Sequence, residues 1–143
     1  MPAEAQVMAA LLRQGRILDG LSGALLVAGV VFGFGQLLVE HADPLLAAIC
    51  LALVLVGLVQ KYLALRVAFD AELFARLETL GLDELDAGLL GLGLLPPQRA
   101  GRPLAERCRG ALRLLKRQAL CVATQGLLAL GGILHALLAA LAG

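Results

Sequence analysis

The stretch from Asp43-Pro44 to Leu80-Gly81 constrains this chain more than any other. An acid at the N-cap position with proline at the first helical position is a helix start signal. The 17 residues 44–60 then carry no charge, and residues 61–80, KYLALRVAFDAELFARLETL, keep helical spacing while turning amphipathic. A continuous helix of that length is roughly 55 Å long at ~1.5 Å per residue. A hydrocarbon core of about 30 Å cannot enclose it. The spacing predicts a helix that crosses a membrane and continues into water.

Two more blocks support the same class. Gly20 to Val39 is a 20-residue uncharged run, and Gln118 to Gly143 is another of 26. A soluble helical bundle with a rich core is the competing reading. Such a bundle interrupts each run with polar residues once per turn, because one face of every helix meets water. Here 60% of the residues are hydrophobic, only 16% are charged, and the charges avoid the three blocks.

The net charge of +1 says little, whereas its distribution sets a topology. All 12 Lys and Arg lie either at Arg13 and Arg16 or between Lys61 and Arg117. The link Glu40-His41-Ala42-Asp43 holds two acids and no Lys or Arg, and none follows the third block. Lys and Arg stay on the cytoplasmic side, so the expected orientation is N-terminus inside and C-terminus outside, in a bacterial-type inner membrane.

The expected fold is an all-α integral membrane protein with three transmembrane helices, the second and third extended into a cytoplasmic helical hairpin. Its segments are a juxtamembrane helix over 1–19, transmembrane helix 1 over 20–40 and an external turn at 41–43. Transmembrane helix 2 and its extension occupy 44–80, and a leucine-rich excursion and linker occupies 81–102. A basic helix over 103–143 continues into transmembrane helix 3. The 3–18 segment reads as an interfacial helix or as an early start of the first span, with Val7, Leu11 and Leu18 on one side. Gly81 reads as the stop of the long helix and Asp83 as the cap of the next. Tyr62, Leu65, Phe69, Leu73, Leu77 and Leu80 form one apolar stripe. Leu104, Cys108, Ala111, Leu112, Leu115 and Ala119 form another, and the two are expected to face each other.

Gly29 and Gly33 form a GxxxG, a spacing that lets helix backbones approach closely in lipid. Gln125, within the third block, requires a hydrogen-bond partner across a helix interface. Arg107, Arg109, Arg113, Lys116 and Arg117 precede that block. They fix orientation at the headgroups, and they are also candidates for anionic-lipid or partner docking. With few aromatics and interleaved acids, nucleic acid is not an expected partner.

Catalytic signatures are missing: there is no GxSxG, HExxH or P-loop, and the one serine is Ser22. No metal or cofactor is expected. His41 and His135 share the outer end, but their spacing dictates no metal or haem site. Three cysteines outside any CxxC, at different depths, do not make a disulfide framework. The expected function is a small non-catalytic accessory or scaffolding subunit of a larger inner-membrane complex. The alternative is a homo-oligomeric channel or small transporter, with Ser22, Gln36, Gln125 and His135 facing a shared axis.

Overall fold

The computed structural model describes residues 2–77 and 79–143, the side chain of Pro2 excepted. Met1 and Glu78, which fall within the 1–19 and 44–80 segments, lie outside the described residues. The chain is all-helical, 85% helix, with no strand among the described residues. Its helices are α1 (Pro2–Arg13), α2 (Gly15–Leu37), α3 (Pro44–Arg76), α4 (Leu82–Gly91) and α5 (Leu104–Ala142), with one 3₁₀ turn at Pro97–Arg99. Among the described residues three helices are long and apolar enough to cross a membrane: Ala3–Leu37 (α1 and α2 together), Pro44–Arg76 and Leu104–Ala142. These are compatible with a multi-pass membrane protein.

Helix α3 is the central element, with α1, α2 and α5 all packed on it. Asp43 starts it: Oδ1 accepts from the Leu45 amide at 2.9 Å and the Leu46 amide at 3.3 Å, with Pro44 in the first turn. Both amides that follow Pro44, which itself has no N–H to satisfy, are thereby bonded. Its far end comes earlier than the glycine signal suggests. The Leu77 amide bonds back to Leu73 and Phe74, and the Thr79 hydroxyl donates to the Arg76 carbonyl at 3.1 Å. Gly81 keeps a negative φ of −63° and caps α4 instead, so Asp83 falls inside the first turn of that helix. The glycine that ends a helix is Gly93, at φ +68°. There the Leu94 amide bonds the Leu89 carbonyl and the Gly93 amide bonds that of Leu90, a Schellman closure of α4.

The buried face of α3 differs in phase from the predicted stripe. Cys50, Leu53, Gly57, Gln60, Leu63, Val67, Ala71 and Phe74 are buried, while Tyr62, Leu65 and Phe69 point outward. The charges choose between these faces: Lys61, Arg66, Asp70, Glu72 and Arg76 share the half of the helix that carries Tyr62, Leu65 and Phe69, while Leu63, Val67, Ala71 and Phe74 lie on the charge-free half. Small residues on the buried face make room for neighbours: Gly57 admits the side chains of Gln125 and Leu26, and Ala71 shares a buried cluster with α1. The same logic reorients α1. It buries Ala5, Met8, Ala9 and Leu12 against Val67, Ala71, Phe74 and Ala111, leaving Val7 and Leu11 exposed. A single turn at Gln14, closed by bonds between residues three apart, joins α1 to α2. The 3–18 segment thus continues into α2 through this turn, and Ala3–Leu37 counts as one long apolar helix.

Candidate functional site

Four polar side chains converge inside the bundle. Ser22, Gln60, Gln118 and Gln125 are all fully buried. The Ser22 hydroxyl donates to Gln125 Oε1 at 2.5 Å, and Gln125 Nε2 donates to the Leu53 carbonyl at 3.2 Å. One amide on α5 therefore bonds both α2 and α3. Gly57 is the residue that admits it: a Cβ there would lie 2.8 Å from Gln125 Nε2 and 2.8 Å from Leu26 Cδ1. Gln118 Nε2 donates to the Gly15 carbonyl at 2.9 Å, fixing α5 to the start of α2. Gln60 and Gln118 Oε1 have no hydrogen-bond partner among the described residues. In lipid such amide contacts contribute about 1 kcal/mol each, and their directionality fixes helix register.

Gly29 sits against α3 as well. A Cβ at this position would be 3.0 Å from Leu53 Cβ and 3.2 Å from the Cys50 carbonyl, and one at Gly33 would be 3.4 Å from Cys50 Cβ. This close approach is made within the chain. Other helical glycines face nothing in the chain: Gly20 and Gly35 on α2, and Gly126 and Gly131 on α5, have open space beside them.

At the end carrying the α2–α3 turn, Asp43 binds a second element. His135 Nε2 lies 2.5 Å from Asp43 Oδ2, and the Asp43 amide donates to Gln36 Oε1 at 3.1 Å. The His135 bond, with the Leu46 amide behind it, holds the Asp43 carboxyl below the usual carboxylate range, against a smaller upward push from burial. A depressed acid stabilises the fold above the ordinary carboxylate pKa of about 3.9 and stops doing so as pH falls through its folded value. Spin labels at Leu38 and Ala139 should accordingly report a broadened distance distribution only once pH falls through that depressed value. Asp43→Asn, which keeps the cap, should abolish the pH dependence; an unchanged dependence would assign it to another group. Among the described residues no three His, Cys, Asp or Glu are placed to share a metal ion, and the three cysteines are free.

The opposite end holds the charges. Asp19 accepts from Lys61 Nζ at 2.7 Å, linking α2 to α3. Arg107 Nη2 donates to Asp86 Oδ1 at 2.5 Å, and the Gly101 amide donates to Asp86 Oδ2 at 2.9 Å. Their side chains are only 16% and 8% exposed, so this pair belongs to the interior and ties α4 to α5. The basic set thus divides. Arg107 is structural, whereas Arg109, Arg113, Lys116 and Arg117 are exposed along α5. Asp70, an acid able in principle to lock α3 to α5, interacts with Arg66 one turn away on its own helix. The acid that fastens a helix to α5 is instead Asp86, on α4, and its place between leucines in Leu85-Asp86-Ala87-Gly88-Leu89 was the available signal.

Beside these charges lies an apolar groove of about 410 Å³ between α3 and the 80–94 segment, with Phe69, Leu80, Leu92 and Leu94 among its walls. Leu85 and Leu89 are buried, but Leu92 is 74% and Leu94 60% exposed. Compared with family models, curated proteins and solved structures, the chain finds no match.

Proposed function

We propose that this chain is a small non-catalytic accessory or scaffolding subunit of a larger inner-membrane complex. In this reading the N-terminus is cytoplasmic and the C-terminus outside. The charged ends of α3 and α5, with α4 between them, form a helical hairpin that docks a membrane-protein partner. The observation that carries the reading is the exposed apolar groove at Phe69, Leu80, Leu92 and Leu94, among Glu72, Arg76 and Glu84. Apolar side chains in the bilayer are covered by lipid, but those at a charged, water-facing end require a protein cover. The exposed row Arg109, Arg113, Lys116 and Arg117 would hold anionic headgroups or an acidic partner surface.

The pore reading draws less support. Ser22 and Gln125 satisfy each other inside the subunit, and Gln36 and His135 both bond Asp43. A shared axis would leave such groups facing one another across water. Ser22, the one serine, donates to an amide oxygen rather than to a base, which gives it no activation as a nucleophile. Native mass spectrometry of the protein released gently from its own membrane tests the proposal. A stoichiometric complex with a larger membrane protein is expected, and Leu92→Ser/Leu94→Ser should dissolve it while leaving helicity unchanged. A homo-oligomer without any partner would sink this reading and favour the channel.

A further inference from the structure

A second charged cavity, of about 340 Å³, lies between the α1–α2 junction and α3, on another side of α3 from the α4 groove. Arg13, Arg16, Asp19, Lys61, Leu65 and Glu72 are among its walls. Its charges are not equivalent. Lys61 is committed to Asp19, with Nζ 2.7 Å from the carboxylate and 3.3 Å from the Asp19 carbonyl. Arg13 and Arg16 are exposed, and neither makes a hydrogen bond or ion pair with another described residue. Residues three apart on helical backbone share a side, so the Gln14 turn presents both guanidiniums to the same cavity. After the Lys61–Asp19 pair is removed from the count, two cations face one acid, Glu72.

Depth identifies what such a cavity takes. The uncharged run of α2 begins at Gly20, that of α3 ends at Gln60 and that of α5 begins at Gln118. The bundle brings these three limits to nearly one level, through Lys61 on Asp19 and Gln118 on the Gly15 carbonyl. Arg13 and Arg16 therefore stand at the boundary where lipid phosphates lie. Among the cavity's own walls Leu65 is 72% exposed and Ala68 is exposed beside it, an apolar surface for an acyl chain. Guanidinium is also the side chain whose donor fork matches a phosphate.

We infer that this cavity is a discrete site for the phosphodiester headgroup of an anionic phospholipid, held by Arg13 and Arg16. It is separate from the exposed basic row of α5 and does not depend on the accessory role. It rests only on the reading of the three long helices as membrane spans. That premise has its own check: a chain that washes off membranes in carbonate has no spans, whereas loss of lipid selectivity alone removes only the site.

The test is native mass spectrometry of the full chain in mild detergent, titrated with phosphatidylglycerol and, separately, phosphatidylcholine. One phosphatidylglycerol should be retained per chain in preference to phosphatidylcholine. Arg13→Gln/Arg16→Gln should weaken it roughly tenfold, as expected for two interfacial charges at about 1 kcal/mol each, partly screened. Glu72→Gln, which removes the opposing acid, should strengthen it, and this variant decides the matter if the double variant fails to insert. Arg113→Gln/Lys116→Gln should leave the single adduct in place. Equal retention of the two lipids, an adduct indifferent to both the Arg13/Arg16 and Glu72 changes, or its loss only with the α5 pair would each overturn the site. Displacement of the lipid by millimolar inorganic phosphate would assign the cavity to a free anion and overturn the lipid.

Discussion

Gly57→Leu is expected to cost about 3 kcal/mol or more of bundle stability, combining overpacking with a lost amide contact. The backbone of α3 passes so close to its neighbours here that even a Cβ would meet Gln125 Nε2 at 2.8 Å, Leu26 Cδ1 at 2.8 Å and Leu26 Cβ at 3.1 Å. Intrinsic helix propensity works in the other direction, since replacing glycine inside a helix gains up to ~1 kcal/mol. The contact decides the sign. A leucine must expel the Gln125 amide, and with it go the acceptor for the Ser22 hydroxyl and the donor to the Leu53 carbonyl. Gly57→Ala should show a smaller loss, because the Gln125 amide and the Leu26 methyl are the movable ends of side chains. Gly20→Leu is the control, having no atom within 4 Å of its Cβ position. Unfolding in a mixed detergent, followed by helicity, ranks the three. If Gly57→Leu behaves like Gly20→Leu, α3 does not approach Gln125 as described.

This position also shows what the sequence could and could not disclose. The three uncharged runs, the Asp43-Pro44 start and the boundary charges are one-dimensional features. Length, charge and cap chemistry suffice to read them, and the three long apolar helices and the Asp43 cap are there. Which face of α3 is buried is a different kind of information. Over residues 44–60 Leu, Val and Ala surround the helix almost uniformly and the pattern is nearly degenerate, whereas over 61–76 the five charges share the half of the helix that carries Tyr62, Leu65 and Phe69. Small and amide side chains break the degeneracy: Gly57, Gln60 and Ala71 lie on the buried face, and Tyr62, Leu65 and Phe69 do not. A reading weighted toward small and polar residues would have found that face, because in lipid these residues, not leucine, select the contact. The GxxxG at Gly29 was visible for this reason, although its partner Cys50–Leu53 was not. Pairings across the chain were the least legible. Asp86 with Arg107 and Asp43 with His135 join residues 21 and 92 positions apart, and no local rule links either pair.

Arg107→Ala should weaken the attachment of α4 to α5. Breaking a buried ion pair by deleting one partner costs about 3–5 kcal/mol, because the remaining charge is left without compensation. The lower end of that range applies, since α4 has only 10 residues and can lift away to hydrate Asp86 without unfolding the spans. The expected result is therefore local: faster tryptic cleavage at Arg99 and reduced amide protection over Leu85–Leu89, with the melting of the long helices unchanged. Asp86→Asn/Arg107→Gln should recover most of the protection, because Asn still accepts from the Gly101 amide and a neutral pair leaves no buried charge. The pH dependence adds a second readout. Burial pushes the Asp86 carboxyl up, but the Gly101 amide and the Arg107 bond outweigh it and leave it below the usual range. In the parent chain the attachment of α4 is thus complete above the ordinary carboxylate value of about 3.9 and is lost as pH falls through the depressed folded value. Without Arg107 the upward push of burial has less to oppose it, so the acid transition of α4 should move to higher pH. A transition that stays in place would mean that Asp86 is held by the Gly101 amide alone, and that the ion pair contributes nothing to fastening α4.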